Sequence, residues 1–354
     1  MKRILHIITG LGQGGAEKVL STVVVKTQGE RVEHRVVSLR GLGYYGPVLQ
    51  AQNITVGNCL SLIGWRCQGW RPDIVQTWLY HADVFGAFIT RIISLWRPRP
   101  HLIWTVRCAD MDLSAYAWLA RLGLALAKKL SWAADEFITN SYAGQRVHQD
   151  YGYAQRPWSV ITNGVDTTVF HPCLTPKALN NRRIICVARW DPMKDHATLL
   201  AAMQQVWVHC PDVILTLVGP GMVPENQALQ AIIPKDRPVE LLGSQQNMAE
   251  ILHTADIAVL ASKTEGLPNV LLEAMACAVP CAATAVGDVA HLLADGGGVI
   301  VPPQNPVQLA HAILQLLALP AVDRQAMGQQ GRHTIEQRYS LEKMLQSYLQ
   351  IWLR

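Results

Sequence analysis

The chain predicts an α/β protein built as two doubly wound domains, and three observations carry that prediction. Short apolar runs alternate with segments of 3.6-residue apolar spacing along most of the 354 residues, the order that builds a parallel sheet with helices on both faces. Eleven such runs are present, too many for one compact doubly wound sheet. They fall into two sets about a stretch at 163–182, where Asn-Gly, His-Pro, Thr-Pro and Asn-Asn cluster as they do in linkers. The expected divisions are a first domain at 1–170, a second at 171–335 and a closing helical segment at 336–354.

The first set of strands is expected at 3–8, 34–39, 73–78, 101–106, 135–140 and 158–161. Met1 to Ile8 opens like a secretory leader, but its apolar core is short and runs into glycines without a small-x-small cleavage pattern, so it reads as a strand. The second set is expected at 183–188, 213–218, 238–242, 256–261 and 280–284. Helical spacing lies between them at 15–26, 81–95, 113–132, 196–209 and 305–318, and again at 335–353. Half the chain is hydrophobic and 16% is charged, which supports a sizeable core and argues against disorder. No run of 18 uncharged apolar residues occurs, so no membrane-spanning helix is expected. No internal repeat is visible.

The eight cysteines form no C-x-x-C pair and stand beside no histidine cluster at zinc spacing. Reduced thiols and a cytoplasmic address are the expectation. Charge is unevenly spread. Residues 1–170 hold 18 basic and 11 acidic side chains, a net of +7, while 171–354 hold 13 and 15, a net of −2. Eight of the eleven tryptophans also precede 170. A basic, Trp-rich half suits an anionic surface such as a membrane's inner face; scattered surface arginines and core tryptophans fit equally. No nucleic-acid-binding module is recognisable.

The most informative stretch is Ser262-Lys263-Thr264-Glu265-Gly266-Leu267-Pro268-Asn269-Val270-Leu271-Leu272-Glu273. Two glutamates stand eight apart across a Gly-Leu-Pro turn. Glu265 falls in a loop and Glu273 in the apolar helix that follows, with Pro268 near its start. A carboxylate in such a run costs several kcal/mol unless it is paired or hydrogen-bonded, and a ligand's diol offers suitable donors. An internal salt bridge is the plainer reading. This segment resembles the E-x7-E element of glycosyltransferase family 4, retaining enzymes of the GT-B fold.

Further stretches extend the likeness. Val187-Ala188-Arg189-Trp190-Asp191-Pro192-Met193-Lys194 is similar to the family's G-R-x-x-x-x-K segment, with Ala188 in the place of glycine. Leu217-Val218-Gly219-Pro220-Gly221 resembles its L-V-G-x-G, and Leu241-Leu242-Gly243 its F-L-G segment near the nucleobase. An arginine often follows that last glycine in the family; here Ser244, Gln245 and Gln246 stand instead. Val160-Ile161-Thr162-Asn163-Gly164-Val165-Asp166 resembles the element that closes the first domain. Near the N-terminus, Gly10, Gly12 and Gly15 satisfy the dinucleotide pattern G-x-G-x-x-G. The acidic residue that pattern wants at the end of the second strand is absent, since the strand ends Ser38-Leu39-Arg40. Gly14-Gly15-Ala16-Glu17 matches the family's G-G-A-E turn better.

The resemblance implies two Rossmann-like domains facing an interdomain cleft. It implies transfer of a sugar from a UDP- or GDP-linked donor to a glycan or a lipid-linked saccharide, in cell-surface polysaccharide or lipopolysaccharide synthesis. Configuration is retained, and neither cofactor nor metal is needed. On this reading Arg189 and Lys194 grip the diphosphate, Glu265 holds sugar hydroxyls and Glu273 the ribose diol. Gly219, Gly243, Gly266, Leu267, Pro268, Asn269 and Val270 line the donor site, and Gly14 and Gly15 meet it from the first domain. The closing helix crosses back to the first domain. Arg189 and Lys194 also fit a solvated loop in which they pair with Asp191 and Asp195.

Acceptor-side candidates are His81 and Asp83, which follow the strand ending at Trp78, and Arg107, where relatives carry a histidine. An arginine orients oxygens but cannot serve as a base. His81 and Asp83 fit plain helix caps as well. Asp110 and Asp112 have the D-x-D spacing of metal-dependent transferases of another fold, yet read as loop acids once the diphosphate is assigned to cations. The segment 113–132, with Arg121, Lys128 and Lys129 beside Trp118 and Trp132, suits a membrane surface or a core helix. Two further readings are a sugar-nucleotide 2-epimerase of the same fold and a non-catalytic nucleotide-sugar-binding subunit.

Overall fold

The computed structural model describes residues 1–94, 99–107, 118–173 and 182–354. It divides into two compact units, Met1–Asn163 with Met344–Arg354, and Gly164–Lys343. Asp110 and Asp112, and residues 113–117 of the basic segment, lie outside the described residues.

The first unit carries strands β1 (Lys2–Ile8), β2 (Val32–Ser38), β3 (Thr55–Gly57), β4 (Ile74–Trp78), β5 (His101–Val106), β6 (Glu136–Thr139) and β7 (Trp158–Val160). Its helices are α1 (Gly15–Thr27), α2 (Tyr45–Ala51), α3 (Ser61–Cys67), α4 (Tyr80–Ser94), α5 (Trp118–Leu130) and α6 (Tyr142–Tyr151). The sheet is parallel throughout, in the order β3-β2-β1-β4-β5-β6-β7. Strand order reverses between β1 and β4, where a doubly wound sheet opens a crevice for ligands.

Alternation sends Leu5, Ile7, Val75, Leu102, Trp104 and Val106 into one apolar layer. The opposite face is also buried, and among apolar side chains such as Ile4, Ile8 and Ile103 it holds a chain of polar groups. Trp78 Nε1–H donates to His6 Nδ1 (3.2 Å), and His6 Nε2 lies 2.9 Å from His34 Nδ1. His34 Nε2 meets Thr27 Oγ1 at 2.9 Å, and the Thr27 hydroxyl donates to the Val23 carbonyl (2.6 Å). An indole N–H can only donate and a carbonyl can only accept, so both imidazoles are neutral with the proton on Nε2. Burial drives both pKa values down, His6 well below 6.5 with His34 adding to the effect, and His34 to about 3.

The second unit carries β8 (Arg183–Val187), β9 (Ile214–Val218), β10 (Val239–Leu241), β11 (Ile257–Leu260), β12 (Cys281–Thr284) and β13 (Gly298–Val301). Its helices are α7 (His196–His209), α8 (Gln227–Gln230), α9 (Met248–Thr254), α10 (Asn269–Ala276), α11 (Val289–Leu292), α12 (Pro306–Ala318) and α13 (Ala321–Arg338). The parallel order is β10-β9-β8-β11-β12-β13, with its reversal between β8 and β11. Ile185 and Leu260 pack with Leu271 and Met275, while Ile184, Cys186 and Val259 pack with Leu199 and Ile313. A sheet buried on both faces reads as continuous apolar runs, which is why five of these six strands were visible in sequence.

Two corrections concern elements. Strands β3 and β13 were not expected. The first is three residues long, and the second begins at Gly298 after two glycines, a turn-like composition. A Cβ on Gly298 would stand 2.1 Å from the Cys281 carbonyl oxygen, so close strand approach explains the glycine. The helix expected at 335–353 is broken: α13 ends at Arg338 and α14 spans Leu341–Trp352. Val165 explains the break, because its N–H takes the Tyr339 carbonyl and its carbonyl takes the Leu341 N–H, pairing Ser340 as a strand would. From Met344 onward α14 belongs with the first unit. There Trp352 Nε1 donates to Gln76 Oε1 (2.8 Å), its ring lies edge-on to His6 and His34, and Tyr348 stacks on Trp78.

Candidate functional site

The second unit's topological reversal fixes where a ligand site belongs: at the carboxyl ends of β8 and β11. The loop after β8 carries Arg189 and Lys194, and the loop after β11 carries Ser262 to Pro268. Lys194 Nζ lies 2.5 Å from Glu265 Oε1, with both side chains mostly shielded, at 20% and 14% exposure. The Ser262 hydroxyl donates to the same oxygen at 2.7 Å. Glu265 Oε2 has no partner among the described residues. Residues far apart in sequence thus make one site, with one carboxylate oxygen held twice and the other available to a hydroxyl.

Arg189 stays at the surface, 62% exposed, and its guanidinium grips Asp191 Oδ2 at 2.6 Å. Burial raises the Asp191 carboxyl, but the Met193 amide and Arg189 outweigh it and hold the net value below the ordinary one. Asp195 adopts a left-handed conformation (φ 49°) and caps α7 through the Thr198 amide and hydroxyl, with Lys263 Nζ 4.0 Å away. The two loops are also tied by Lys263 N–H to the Met193 carbonyl (2.8 Å). Behind Lys194, burial pushes the Cys186 thiol up to about 12, so it remains a protonated packing group.

The glycines on this rim are demanded by backbone geometry. Gly219 (φ +136°) has no room for a side chain against the Ala188 carbonyl, and its N–H donates to the Gly243 carbonyl at 2.7 Å. Gly287 (φ +53°) lies under the Glu265–Gly266 turn, where a Cβ would stand 2.2 Å from the Glu265 carbonyl oxygen. The Asp288 N–H donates to the Gly266 carbonyl at 2.8 Å. Pro268 opens α10, Leu267 and Pro268 are buried, and Asn269, Val270 and Glu273 are half-buried along its first turns. Glu273 therefore rides the helix edge between Leu272 and Ala274, which are fully buried.

Sequence reasoning missed Ser262, Thr284 and Gly287. Thr284 donates to the Ser262 carbonyl (2.8 Å), so the three form the backing of Glu265. The available signal was a threonine at a strand end followed by Gly-Asp.

The first unit places the other candidates differently. Gly14 caps α1 with φ −113°, and Gly12 and Gly15 have open space where a side chain would stand. His81 is exposed. Asp83 is fully buried: Thr77 donates to Oδ1, Oδ2 has no hydrogen bond among the described residues, and burial pushes its carboxyl well above the usual range. Burial thus favours the uncharged form of an acid sealed beneath the surface. It sits one turn after Leu79, which holds a strained left-handed φ of 75°. Arg107 donates to Asn163 Oδ1 and stands 5.9 Å from the Trp78 ring. Burial lowers its pKa, with Tyr348 and Glu17 nearby opposing that.

Two family profiles match, one for each half: Glycosyltransferase Family 4 over residues 9–169, and Glycosyl transferases group 1 over residues 181–319. The chain belongs to glycosyltransferase family 4. The chain is 31% identical over 204 residues to a GDP-mannose-dependent monoacylated alpha-(1-6)-phosphatidylinositol monomannoside mannosyltransferase of Corynebacterium glutamicum, covering 52% of this chain and 53% of that one. It is 34% identical over 146 residues to the N-acetyl-alpha-D-glucosaminyl L-malate synthase of Bacillus anthracis, covering 40% and 37%. The matched region thus spans about half or less of these relatives' lengths. Among solved structures, HepE of Anabaena, crystallised with UDP, superposes with a TM-score of 0.82 at 20% identity over 99% of both chains. Sucrose-phosphate synthase of Thermosynechococcus elongatus superposes at 0.77 and 20% identity, over 100% and 98%. These likenesses establish a GT-B fold for this family 4 chain.

Proposed function

We propose that the protein transfers a sugar from a nucleotide-diphosphate donor to a glycan or lipid-linked saccharide, with retention of configuration and without a metal, in cell-surface polysaccharide or lipopolysaccharide synthesis. The carrying observation is the Lys194–Glu265 pair at the second sheet's reversal. An ammonium has three donors and spends one on Glu265. Two remain for diphosphate oxygens, so Lys194 can bridge phosphate and carboxylate, with the sugar beside Glu265 Oε2. Arg189, largely exposed, adds a second cation. Negative charge that builds on the leaving diphosphate is stabilised most when such donors are already in place. The diphosphate itself then takes the acceptor's proton, and no protein nucleophile is required. Support for a nucleotide sugar comes from the GDP-mannose-dependent relative and from HepE with UDP. They differ in base, so both UDP- and GDP-linked sugars belong in the test.

That test is a screen of the purified protein with UDP- and GDP-sugars, following nucleoside diphosphate release with and without saccharide acceptors in excess EDTA. Release with one donor, raised by an acceptor, is the expected result. Activity that vanishes in EDTA and returns with Mn²⁺ or Mg²⁺ would overturn the metal-free assignment.

We also propose a peripheral contact with an anionic membrane through the first unit. Phe88, Ile92, Leu122, Leu126 and Trp132 are exposed on and just after α4 and α5, beside the exposed cations Arg91, Arg121, Lys128 and Lys129. Each cation held near such a surface contributes about 1 kcal/mol, across a Debye length of roughly 8–10 Å. Co-sedimentation with anionic liposomes that falls at high salt supports the contact; equal recovery in the supernatant with anionic and neutral liposomes removes it.

A further inference from the structure

We infer that Trp190 is the platform on which the base of the nucleotide donor stacks. This rests on the donor reading above and adds an end-to-end direction to the site. In the second sheet β9 and β10 lie on one side of β8, and β11 on the other. Glu265 marks the β11 side. Trp190 belongs to the opposite side: its N–H donates to the Pro220 carbonyl at 2.8 Å, and its Cβ lies 2.7 Å from where a Cβ on Gly221 would stand. Gly221 is held at φ +82° and leaves that space clear.

The indole is backed rigidly. His196, buried at the start of α7, lies parallel beneath it with ring centres 5.4 Å apart and planes at 16°. His196 Nε2 is 3.1 Å from the Arg189 carbonyl, which can only accept, so the imidazole is itself pinned. Trp190 keeps 36% of its surface open, next to the proposed phosphate cation Arg189. A rigid aromatic with one covered face binds a second flat ring at small entropic cost.

The rim beyond it offers few groups for reading a base edge. Gly219, Gly221 and Gly243 have no side chains, and the Gln245 side-chain NH2 donates to the Leu242 carbonyl. Recognition by the face of the base, through Trp190, fills that role.

The test is calorimetric titration of the intact protein with UDP, GDP and inorganic pyrophosphate, for the wild type, Trp190→Ala, Trp190→Leu and Trp190→Phe. Stacking of one base on an aromatic predicts at least about tenfold weaker nucleoside diphosphate binding in the Ala and Leu variants. Pyrophosphate binding stays unchanged, and Phe restores most of the affinity. Unchanged UDP and GDP affinity in Trp190→Ala overturns the inference. So does an equal loss of pyrophosphate affinity in Trp190→Leu, since Trp190 would then only shape the Arg189 loop. A wild type that binds pyrophosphate but neither nucleotide removes the stacking role and leaves the phosphate cations standing. A wild type that binds none of the three refutes the donor reading, and the inference with it.

Discussion

The two sheets reverse their strand order in the same way, yet the rims at those reversals are built on opposite plans. In the second unit, charges on the rim are paired before any ligand arrives: Lys194 with Glu265, Arg189 with Asp191. Its glycines at 219, 221, 243 and 287 are fixed by positive φ. In the first unit Asp83, His6 and His34 turn inward, while His81 at the reversal stays exposed. Asp83 is a buried acid and His6 and His34 are locked neutral, while Gly12 and Gly15 line open space without needing special backbone angles. One rim is organised by its own electrostatics, and the other leaves room. Substitutions in the two rims should therefore fail in different ways.

The largest difference is expected at Lys194. Lys194→Ala removes a donor to the leaving diphosphate and leaves Glu265 with Ser262 alone on Oε1. Loss of one such donor costs about 3 kcal/mol, so kcat/KM should fall at least ~100-fold. Arg189→Ala, in the more exposed position, should fall in the same direction. Unchanged steady-state kinetics in both variants would show that the charged rim is only a solvated loop.

Glycine substitutions come next and contrast the rims directly. Gly287→Ala meets the Glu265 and Gly266 carbonyls at a left-handed angle; a loss of about 2 kcal/mol or more is expected, with a melting temperature lower by about 5 °C. Gly12→Ala meets nothing, so stability should change by less than about 0.5 kcal/mol. If Gly12→Ala melts early and Gly287→Ala does not, the contrast is wrong.

Acid should separate the units as well. His6, His34 and His148 in the first unit all have pKa values lowered by burial, His34 to about 3 and His148 to about 4; the second unit has His196 lowered for the same reason. These groups are neutral when folded and bind a proton more readily when unfolded. Their contribution is complete above about 6.5 and is lost as pH falls from there toward 3, by up to about 1.4 kcal/mol per pH unit for each. Hydrogen exchange at pH 7.5 and 5, corrected for intrinsic rate, should show β1, β2 and residues 344–354 opening more readily at pH 5. Equal protection at both values would mean that the neutral chain from Trp78 to Val23 does not form.

Much of this was legible in sequence because the strands are buried on both faces and the helices between them are amphipathic. Arg189, Lys194 and Glu265 were marked by resemblance to the family's motifs, and each lies in a loop that leaves a strand near the reversal. What stayed hidden was tertiary. Nothing local says that Asp83 turns inward to Thr77, that Val165 interrupts the last helix at Ser340, or that His6 and His34 complete a chain with Thr27. Trp352 closing over that chain depends on contacts with β1, β2 and β4, nearly the whole unit away in sequence.

The smallest effect expected is at Ser262, and it tests how the charged rim is held. Ser262 is 1% exposed; its hydroxyl donates to Glu265 Oε1, and its carbonyl accepts from Thr284. Ser262→Ala leaves Lys194 as the single donor to that oxygen, so Glu265 keeps its charge partner but loses a fixed direction. A hydrogen bond to a charged group is worth about 1.5 kcal/mol at the low end, so kcat/KM should drop about tenfold. The loss should appear in kcat more than in donor affinity, because phosphate binding does not use Glu265. Ser262→Thr, which keeps the hydroxyl, should recover most of it. A Ser262→Ala variant with normal kcat would make the hydroxyl a packing group and leave Lys194 alone responsible for aiming Glu265. Then the twofold hold on Oε1 would no longer distinguish this rim from the open one.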